Sequence, residues 1–255
     1  MLNSERQNII LDMLRERRTV LVTDLVKQFN VSVATIRRDL TELEDKNLLK
    51  RVYGGAIPVG DNPWTPFATR ADLHAKEKAL IGKKAAELLN DDETVIIDTG
   101  TTVQEVVKNI KKKSLKVFTN SLPALNELSD ASSSVSVVCL GGYFMQKQMA
   151  MLGSIAEKAL QSYFFDKAVI GAAGVDLEYG LSGFSQESTD MCSALVKRSK
   201  EVIVVADSSK FGKVNHIAFA TLDQIDVIVT DSNLDQSFRA ALEEKGIRLI
   251  IVPVN

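Results

Sequence analysis

The feature that most constrains the fold is a regular alternation, from about residue 75 onward, of short β-branched apolar runs with stretches of helical periodicity. The strand-like runs lie at 95–97, 117–119, 135–140, 168–171, 202–206, 227–230 and 249–252. The helical stretches lie at 75–90, 102–112, 122–130, 153–163, 187–199 and 234–245. Short apolar strands joined through helices predict a mostly parallel sheet with helices on both faces, which is an α/β domain.

The first 57 residues differ from the rest. They hold ten Lys and Arg and eight Asp and Glu, a net charge of +2 in a chain whose total is −2. Apolar spacing predicts three helices. Their predicted limits are Ser4 as the cap of the first, Val22 or Thr23 to Asn30 for the second, and Ser32 as the cap of the third. The following segment, LLKRVYGGAI, is extended and contains two adjacent glycines, which predicts a β-hairpin or wing.

A proline-rich segment separates these two regions. Pro58, Pro63 and Pro66 are three of the five prolines in the chain. Proline fixes φ and lacks a backbone donor, so it disfavours a helix and suits a linker. The predicted organisation is a first domain at 1–57, a linker at 58–74 and a second domain at 75–255.

The second and third predicted helices form a helix-turn-helix pattern. The apolar face of the third helix is expected to pack in a core and contains Val33, Ile36, Leu40 and Leu43. Arg37 and Arg38 project elsewhere, and guanidinium groups bind phosphates or guanine edges in the major groove. The predicted DNA contacts are Ser32, Val33, Ala34, Thr35, Arg37 and Arg38 on the helix and Lys50 and Arg51 on the wing. Spacing alone leaves open a second interpretation, a small helical subdomain with a charged surface.

Several turns of the second domain suit an anionic ligand. The segment IIDTGTT at 96–102 puts Gly100 and two threonines between a strand and a helix, where free N–H groups and the helix dipole bind anions. Segments 117–121, 140–142 and 171–174 repeat the design, and Lys210 is a candidate countercharge. Open α/β sheets bind ligands at the carboxyl ends of their strands. Neither a GxxxxGK(S/T) nor a GxGxxG motif is present, so we expect no nucleotide hydrolysis and no cofactor.

Cysteine and histidine are scarce. Two cysteines cannot build a disulfide framework or a four-cysteine zinc site, and His74 and His216 lie far apart in sequence and lack ligand spacing. Cys139 and Cys192 are therefore interpreted as small buried hydrophobes, and no metal is expected. The chain shows no apolar run that predicts a signal peptide or a membrane span. We therefore expect a reducing, bacterial-type cytoplasm and no membrane partner.

The segment VSVATIRRDLTELEDKNLLKRVYGGAI resembles the DeoR family of bacterial transcription regulators. The segments DTGTT, TNS, LGG, FFDKAVIGAAGVD, GLS and ADSSKFGK follow in the order seen in that family, so the resemblance covers nearly the whole chain. It implies an N-terminal winged helix-turn-helix domain. It also implies a C-terminal domain similar in fold to ribose-5-phosphate isomerase, glucosamine-6-phosphate deaminase and the coenzyme A transferases, which senses a phosphorylated sugar.

The resemblance also implies where the ligand binds. The residues it places at or near the pocket are Asp98, Gly100, Thr101, Thr102, Asn120, Gly141, Gly142, Lys147, Glu187 and Lys210. Asn47 and Tyr53 depart from the family's usual Gly and His, and Gly153-Ser154 stands where Gly-Pro is common. Segment 185–193, SQESTDMCS, stands where the family often has Asn-x-Glu-Glu-Ala followed by Lys-Arg. These departures bear on the identity of the sugar more than on the fold.

Two functions from different classes follow. The first is a DNA-binding regulator, expected to be a homo-oligomeric repressor of a sugar-catabolism or sugar-transport operon that a phosphorylated sugar releases from its operator. The alternative is a sugar-phosphate isomerase or deaminase with an appended DNA-binding domain. An enzyme of that kind needs a positioned base. Asp98 and Glu187 are the available carboxylates and neither has a histidine nearby in sequence, so we expect no enzymatic activity.

Overall fold

The structure is a computed structural model that describes residues 3–17, 19–46, 48–52, 54–58, 65–130 and 134–254. It divides into two compact units, Met1–Thr65 and Pro66–Asn255. Asn47 and Tyr53, two positions that depart from the family pattern, lie outside the described residues, as does part of the predicted linker, 59–64.

The first unit is a winged helix-turn-helix. Its elements are α1 (Asn3–Arg17), β1 (Val20–Leu21), α2 (Val22–Phe29), α3 (Val33–Asp45), β2 (Leu49–Val52) and β3 (Gly55–Pro58). The strands form an antiparallel sheet in the order β1-β3-β2, and β2 and β3 are the predicted wing. A Cβ atom at Gly55 would lie 2.0 Å from the carbonyl oxygen of Val20, so only glycine allows β3 to approach β1 this closely.

The turn between α2 and α3 follows the sequence prediction. Asn30 ends α2 in the left-handed conformation at φ 49°, which asparagine tolerates. The side chain of Ser32 caps α3 by accepting a hydrogen bond from the backbone N–H of Thr35 at 3.1 Å. Two details differ from the prediction. α1 begins at Asn3, one residue before Ser4, and Val33 is 46% exposed because it lies at the edge of the apolar face.

A buried ion pair joins α1 to α3. The Arg6 guanidinium donates to both carboxylate oxygens of Asp39, at 2.5 and 3.0 Å, and both side chains are buried. Beside it, Glu42 accepts hydrogen bonds from the amides of Asn3 and Gln7 at 3.0 and 2.7 Å. The apolar core of this unit includes Ile10, Met13, Leu14, Leu25, Ile36, Leu40, Leu43 and Leu49. The polar contacts therefore fix the orientation of α3 on an apolar core.

The second unit is an α/β domain. Its helices are α4 (Phe67–Asp72), α5 (Ala75–Ala86), α6 (Thr101–Lys108), α7 (Leu122–Leu128), α8 (Ser154–Gln161), α9 (Gln186–Lys197) and α10 (Gln236–Glu244). Its main-sheet strands are β4 (Thr94–Ile97), β5 (Lys116–Thr119), β6 (Ser136–Cys139), β9 (Phe165–Gly171), β12 (Ser199–Val205), β14 (Val227–Asp231) and β15 (Arg248–Val252). They pair in parallel throughout, in the order β15-β14-β12-β9-β4-β5-β6. The seven predicted strands and the parallel sheet are confirmed.

Helices cover both faces of this sheet. Val95 and Ile97 of β4 point to one face, into a cluster that contains Ile81 of α5 and residues of α6 and α7. Ile96 points to the other face, into a cluster with residues of α8, α9 and α10. A strand buried on both faces is apolar at every position, which explains the continuous apolar runs of the sequence.

Two small antiparallel sheets were not predicted. One is a hairpin of β7 (Tyr143–Met145) and β8 (Ala150–Leu152). The other joins β10 (Gly174–Asp176), β11 (Gly180–Gly183) and β13 (Ile217–Ala220). The hairpin follows the turn at 140–142, which the sequence predicts to bind the ligand.

The predicted linker at 58–74 also differs from the structure in part. β3 extends to Pro58, and α4 occupies Phe67–Asp72. Pro66 stands at the N-cap of α4, where a missing N–H costs no helical hydrogen bond, so this proline starts a helix. In the part of the chain that the structure describes, no helix is long and apolar enough to cross a membrane.

The buried ion pair yields a stability prediction. Asp39→Ala leaves the Arg6 guanidinium buried and unpaired, so the free energy of unfolding of the first unit should fall by about 3–5 kcal/mol. Arg38→Ala is the matched control, because it breaks an α3 ion pair whose arginine is 82% exposed. Such a pair contributes at most about 1 kcal/mol. Hydrogen exchange at the α3 backbone amides measures both changes, and equal protection in the two variants would contradict the role given to Asp39.

Candidate DNA interface and effector site

Most of the predicted DNA-contacting side chains of α3 face solvent. Ser32, Val33, Ala34, Arg37 and Arg38 are exposed, and Thr35 is half-buried. Arg38 forms an ion pair with Glu42 one turn along the helix, with Nε 3.1 Å from Oε1. The stripe opposite the core thus carries the N-terminal residues of the helix and two guanidinium groups, as a recognition helix requires.

The wing is attached to this helix. Lys50 and Arg51 of β2 are both exposed. The Arg51 guanidinium donates to the hydroxyl of Thr41 at 2.7 Å, and the Thr41 hydroxyl donates to the carbonyl oxygen of Arg37 at 2.9 Å. The backbone N–H of Arg51 donates to Glu44 at 2.9 Å. The structure therefore holds Arg51 of the wing against the turn of α3 that follows Arg37.

In the second unit, most predicted ligand residues lie at the carboxyl edge of the main sheet. Ile97 pairs with Thr119, and Thr119 pairs with Cys139, so the turns that follow β4, β5 and β6 are neighbours. These turns carry Asp98, Gly100, Asn120, Gly141 and Gly142. β9 and β12 end at the same edge, because Gly171 pairs with Val205.

Among these turns, the one that follows β4 ends at the N-terminus of α6. Gly100 stands at its N-cap, and Thr101 and Thr102 are buried in its first turn. N–H groups in a first turn have no partner within the helix and carry the positive end of its dipole. In the turn after β6, Gly142 has a φ of 120°, and a Cβ there would lie 2.7 Å from the carbonyl oxygen of Leu152. Glycine is therefore required where that turn meets the β7–β8 hairpin.

Asp98 is a buried carboxylate in the turn that follows β4. Burial raises its pKa from 3.8 to about 6, against smaller opposing effects of the Thr99 N–H, the Cys192 thiol and the Asn120 amide. The Cys192 sulfur donates to Oδ2 of Asp98 at 3.3 Å. Asn120 is buried, and its Nδ2 has no hydrogen bond of good geometry within the described residues. Cys192 is buried as predicted, whereas the prediction for Cys139 is wrong, because Cys139 is exposed at the end of β6, an edge strand of the main sheet. The contact of Cys192 with Asp98 is not predictable from local sequence, because 94 residues separate them.

Gln148, in the turn of the β7–β8 hairpin, was also missed. Its backbone oxygen accepts a hydrogen bond from the Thr99 hydroxyl at 3.2 Å. Its side chain accepts from the Ser188 hydroxyl at 2.6 Å and donates to Ser185 Oγ at 3.3 Å. Gln148 thus joins the turn before α6 to the start of α9. In the sequence, a turn glutamine that makes these contacts cannot be distinguished from one whose side chain is exposed to solvent.

The other charged residues predicted to bind the ligand are Lys147, Glu187 and Lys210. Lys147 is exposed, and its backbone oxygen accepts from the Phe67 N–H at 3.1 Å. Glu187 is exposed in the first turn of α9, and no hydrogen bond of its carboxylate is found among the described residues. Lys210 is half-buried in a short 3₁₀ helix, Ser208–Lys210, that follows β12. The structure therefore gives Lys210 a more enclosed position than Lys147 or Glu187.

Asp207 provides the charge beside Lys210. Burial alone would raise the pKa of Asp207, but the charges of Lys210, His74 and Lys78 and a hydrogen bond from Ser209 outweigh burial and lower it. Asp207 is fully buried, and its Oδ2 has no hydrogen-bond partner within the described part of the chain. Cations from the start of α5 and from the turn after β12 therefore meet at one ionised carboxylate. Among the described residues, no group of three or more His, Cys, Asp or Glu could hold a metal ion.

Comparison with known proteins identifies both units. Residues 6–59 match the DeoR-like helix-turn-helix domain, and residues 73–232 match the DeoR C terminal sensor domain. This chain belongs to the DeoR family. It is a helix-turn-helix transcription regulator with a sensor domain, as the sequence resemblance implied.

Curated relatives align along nearly the whole chain. The HTH-type transcriptional repressor GlcR of Bacillus subtilis is 33% identical over 98% of this chain and 97% of its own length. The transcriptional repressor AccR of Agrobacterium fabrum is 35% identical over 89% of each chain. Among solved structures, ribose 5-phosphate isomerase A from Neisseria gonorrhoeae overlaps 52% of each chain at 17% identity with a TM-score of 0.40.

The buried Asp98 carboxylate predicts an inverted pH dependence. Its pKa in the folded chain lies above 3.8, so the folded chain binds the extra proton, and this group's contribution to stability falls as the pH rises from about 4 to about 6. Asparagine does not ionise, so the Asp98→Asn variant does not lose this stability as the pH rises. The free energy of unfolding of the second unit, relative to wild type, should therefore rise by about 3 kcal/mol between pH 4 and pH 7.

Urea denaturation at several pH values, monitored by hydrogen exchange at the backbone amides of the second unit, measures this difference in the free energy of unfolding. Asp235→Asn is the control, because a hydrogen bond from Ser237 lowers the pKa of Asp235. For that variant, stability relative to wild type should fall with rising pH. A flat pH profile for Asp98→Asn relative to wild type would show that Asp98 ionises normally.

Proposed function

We propose that this regulator is a repressor of a sugar-catabolism or sugar-transport operon and that a phosphorylated sugar releases it from its operator. The observation that carries the proposal is the N-terminus of α6. It presents Thr101 and Thr102 beside Gly100 at the carboxyl edge of a parallel sheet, in a chain that also carries an arginine-bearing recognition helix. Relatives named as repressors, GlcR and AccR, support the direction of regulation.

The chemistry of the edge fits a phosphorylated polyol. Helix N-termini bind phosphate through backbone N–H groups and the helix dipole, and threonine hydroxyls add donors. Asp98 and Asn120 supply polar groups for sugar hydroxyls a short distance along the same edge. Lys210 supplies a cation on the turn after β12. A ligand with one anionic end and several hydroxyls can satisfy all of these groups.

Ligand binding can change DNA affinity only if the ligand binds two conformations with different affinities. We propose that the sugar phosphate favours the conformation that binds DNA weakly. A homo-oligomer follows from the DNA side of the proposal, because one recognition helix contacts too few base pairs and two-fold symmetry doubles the site. Light scattering with and without DNA tests the oligomer. Because the target is chromosomal DNA, we place the protein in the cytoplasm.

An enzymatic function is the second candidate. Asp98, with a pKa of about 6, is the carboxylate that could serve as a general acid or base. Its carboxylate, however, is buried and hydrogen-bonded to the Cys192 thiol, and the relatives are named as regulators. Turnover of a panel of sugar phosphates by the purified chain tests this candidate directly. We expect none.

Arg37→Ala should weaken operator binding by about 1–3 kcal/mol, because it removes one guanidinium contact and leaves the α3 core intact. Arg248→Ala is the matched control, since Arg248 is an exposed arginine at the start of β15. Fluorescence anisotropy with labelled duplex at constant salt measures both affinities. Unchanged affinity in Arg37→Ala would show that α3 is not the recognition helix.

The double variant Thr101→Val/Thr102→Val should bind its operator normally and fail to leave it when the sugar phosphate is added. Valine keeps the shape of threonine and removes only the hydroxyl donors. A thermal-shift screen of sugar phosphates first identifies the ligand, since saturation at a hundredfold excess over its Kd stabilises the wild type by about 2.7 kcal/mol. Normal release of the double variant would place the anion site elsewhere. Failure of every phosphorylated sugar to shift or release the wild type would contradict the proposed effector.

A further inference from the structure

We propose that Val33 contacts the methyl group of a thymine in each operator half-site and so helps to set the DNA sequence that the chain binds. The inference rests on the DNA-binding function given above. It concerns the base that α3 selects, whereas the basic residues concern the strength of binding.

Val33 is the first residue of α3 and is 46% exposed, although the sequence places it on the apolar face with Ile36 and Leu40, which are buried. Arg37 follows one turn later on the same exposed stripe, and Ala34 lies beside both. Residues four apart on a helix are neighbours. The start of α3 therefore presents an isopropyl group, a methyl group and a guanidinium group side by side.

Helix formation does not explain this choice of residues. A first helical turn favours acidic side chains, and exposed helix positions favour straight-chain residues over valine. α3 has no acidic residue in its first turn, which is also true of α4, α6, α7 and α10, whereas α1, α2, α5, α8 and α9 each have one. Single exposed apolar residues are common on protein surfaces. Val33 differs because it stands at the end of the helix that meets base edges, where an acidic residue would repel the DNA.

Thymine is the base that presents a methyl group in the major groove, and apolar side chains recognise it there. Arg37 is placed to bind a neighbouring guanine in the bidentate manner. Arg38 is held along the helix by Glu42, which suits a contact with phosphate. Removing one methyl group from a buried apolar contact weakens binding about fourfold.

The test is selection of binding sites from random-sequence DNA duplexes by the full chain and by Val33→Ser. The wild type should select thymine at one position of each half-site, and Val33→Ser should lose that preference there alone. Replacing this thymine with deoxyuridine removes only the methyl group. It should weaken wild-type binding about fourfold per half-site and leave Val33→Ser binding unchanged. Val214→Ser, at a 53% exposed valine of the second unit, is the matched control and should behave as the wild type.

Equal uracil penalties in the wild type and in Val33→Ser would overturn the inference, and so would a wild type that tolerates uracil at every selected thymine. If Val33→Ser binds no duplex, Val33→Ala takes its place in the same comparison, because alanine keeps the helix and removes the isopropyl group. A wild type that selects no sequence would overturn the proposed function as well. A selected sequence with no coupling between residue 33 and the methyl group overturns this inference alone.

Discussion

Parallel pairing of seven strands is the constraint on which the second unit depends. After each strand, the chain must cross back to the end of the sheet where that strand began before the next parallel strand can start. All seven strands therefore begin at one edge of the sheet and end at the opposite edge. The turns after β4, β5, β9 and β12 are thereby collected at one edge although more than 100 residues separate the first from the last. A chain of this topology places polar turn residues next to one another without a direct interaction between them. The apolar side chains of the strands stabilise the sheet, and the turns that follow the strands contain the polar residues Asp98, Asn120 and Asp207.

The first unit solves a different problem, because a unit of this size has a small apolar core. Among the described residues, ten buried apolar side chains form the core between three helices and a three-stranded sheet. The buried ion pair of Arg6 and Asp39 adds a directional contact between α1 and α3 to this apolar packing. A buried ion pair contributes little net stability, since desolvation offsets the Coulomb attraction. Its geometry is nevertheless specific, and it fixes the rotation of α3 about its own axis. That rotation determines that Arg37 and Arg38 face solvent while Asp39, next in sequence, faces the core.

The sequence predicts the parallel sheet because strands buried on two faces are apolar at every position, and it predicts the α2–α3 turn because Asn30 and Ser32 have specific backbone roles. The β7–β8 hairpin leaves no such pattern. Its strands have three residues each, and Tyr143 is 73% exposed, so no apolar periodicity develops. Gln148 and Cys192 belong to the site through contacts across 37 or more residues of sequence, which no local pattern reveals. Val33 is predicted both on the apolar face of α3 and among the DNA contacts, because helical spacing cannot distinguish the centre of an apolar face from its edge; its exposure places it at the edge.

Hydrogen bonds of α4, the first helix of the second unit, connect it to the edge of the sheet that carries the predicted ligand residues. The Thr99 hydroxyl, in the turn before α6, donates to the backbone oxygen of Gln148. The preceding carbonyl, that of Lys147, accepts from the N–H of Phe67 at the start of α4. At the other end of α4, the carbonyl oxygen of Arg70 accepts from the Lys78 ammonium at 2.5 Å, and the charge of Lys78 acts on Asp207. The start of α4 is therefore bonded to the predicted ligand residue Lys147, and its last turn is bonded to Lys78, whose charge acts on Asp207. Because α4 follows directly on the segment that joins the two units, a ligand that moved the hairpin turn or drew Lys210 away from Asp207 would act first on the part of the sensor domain closest in sequence to the DNA-binding unit.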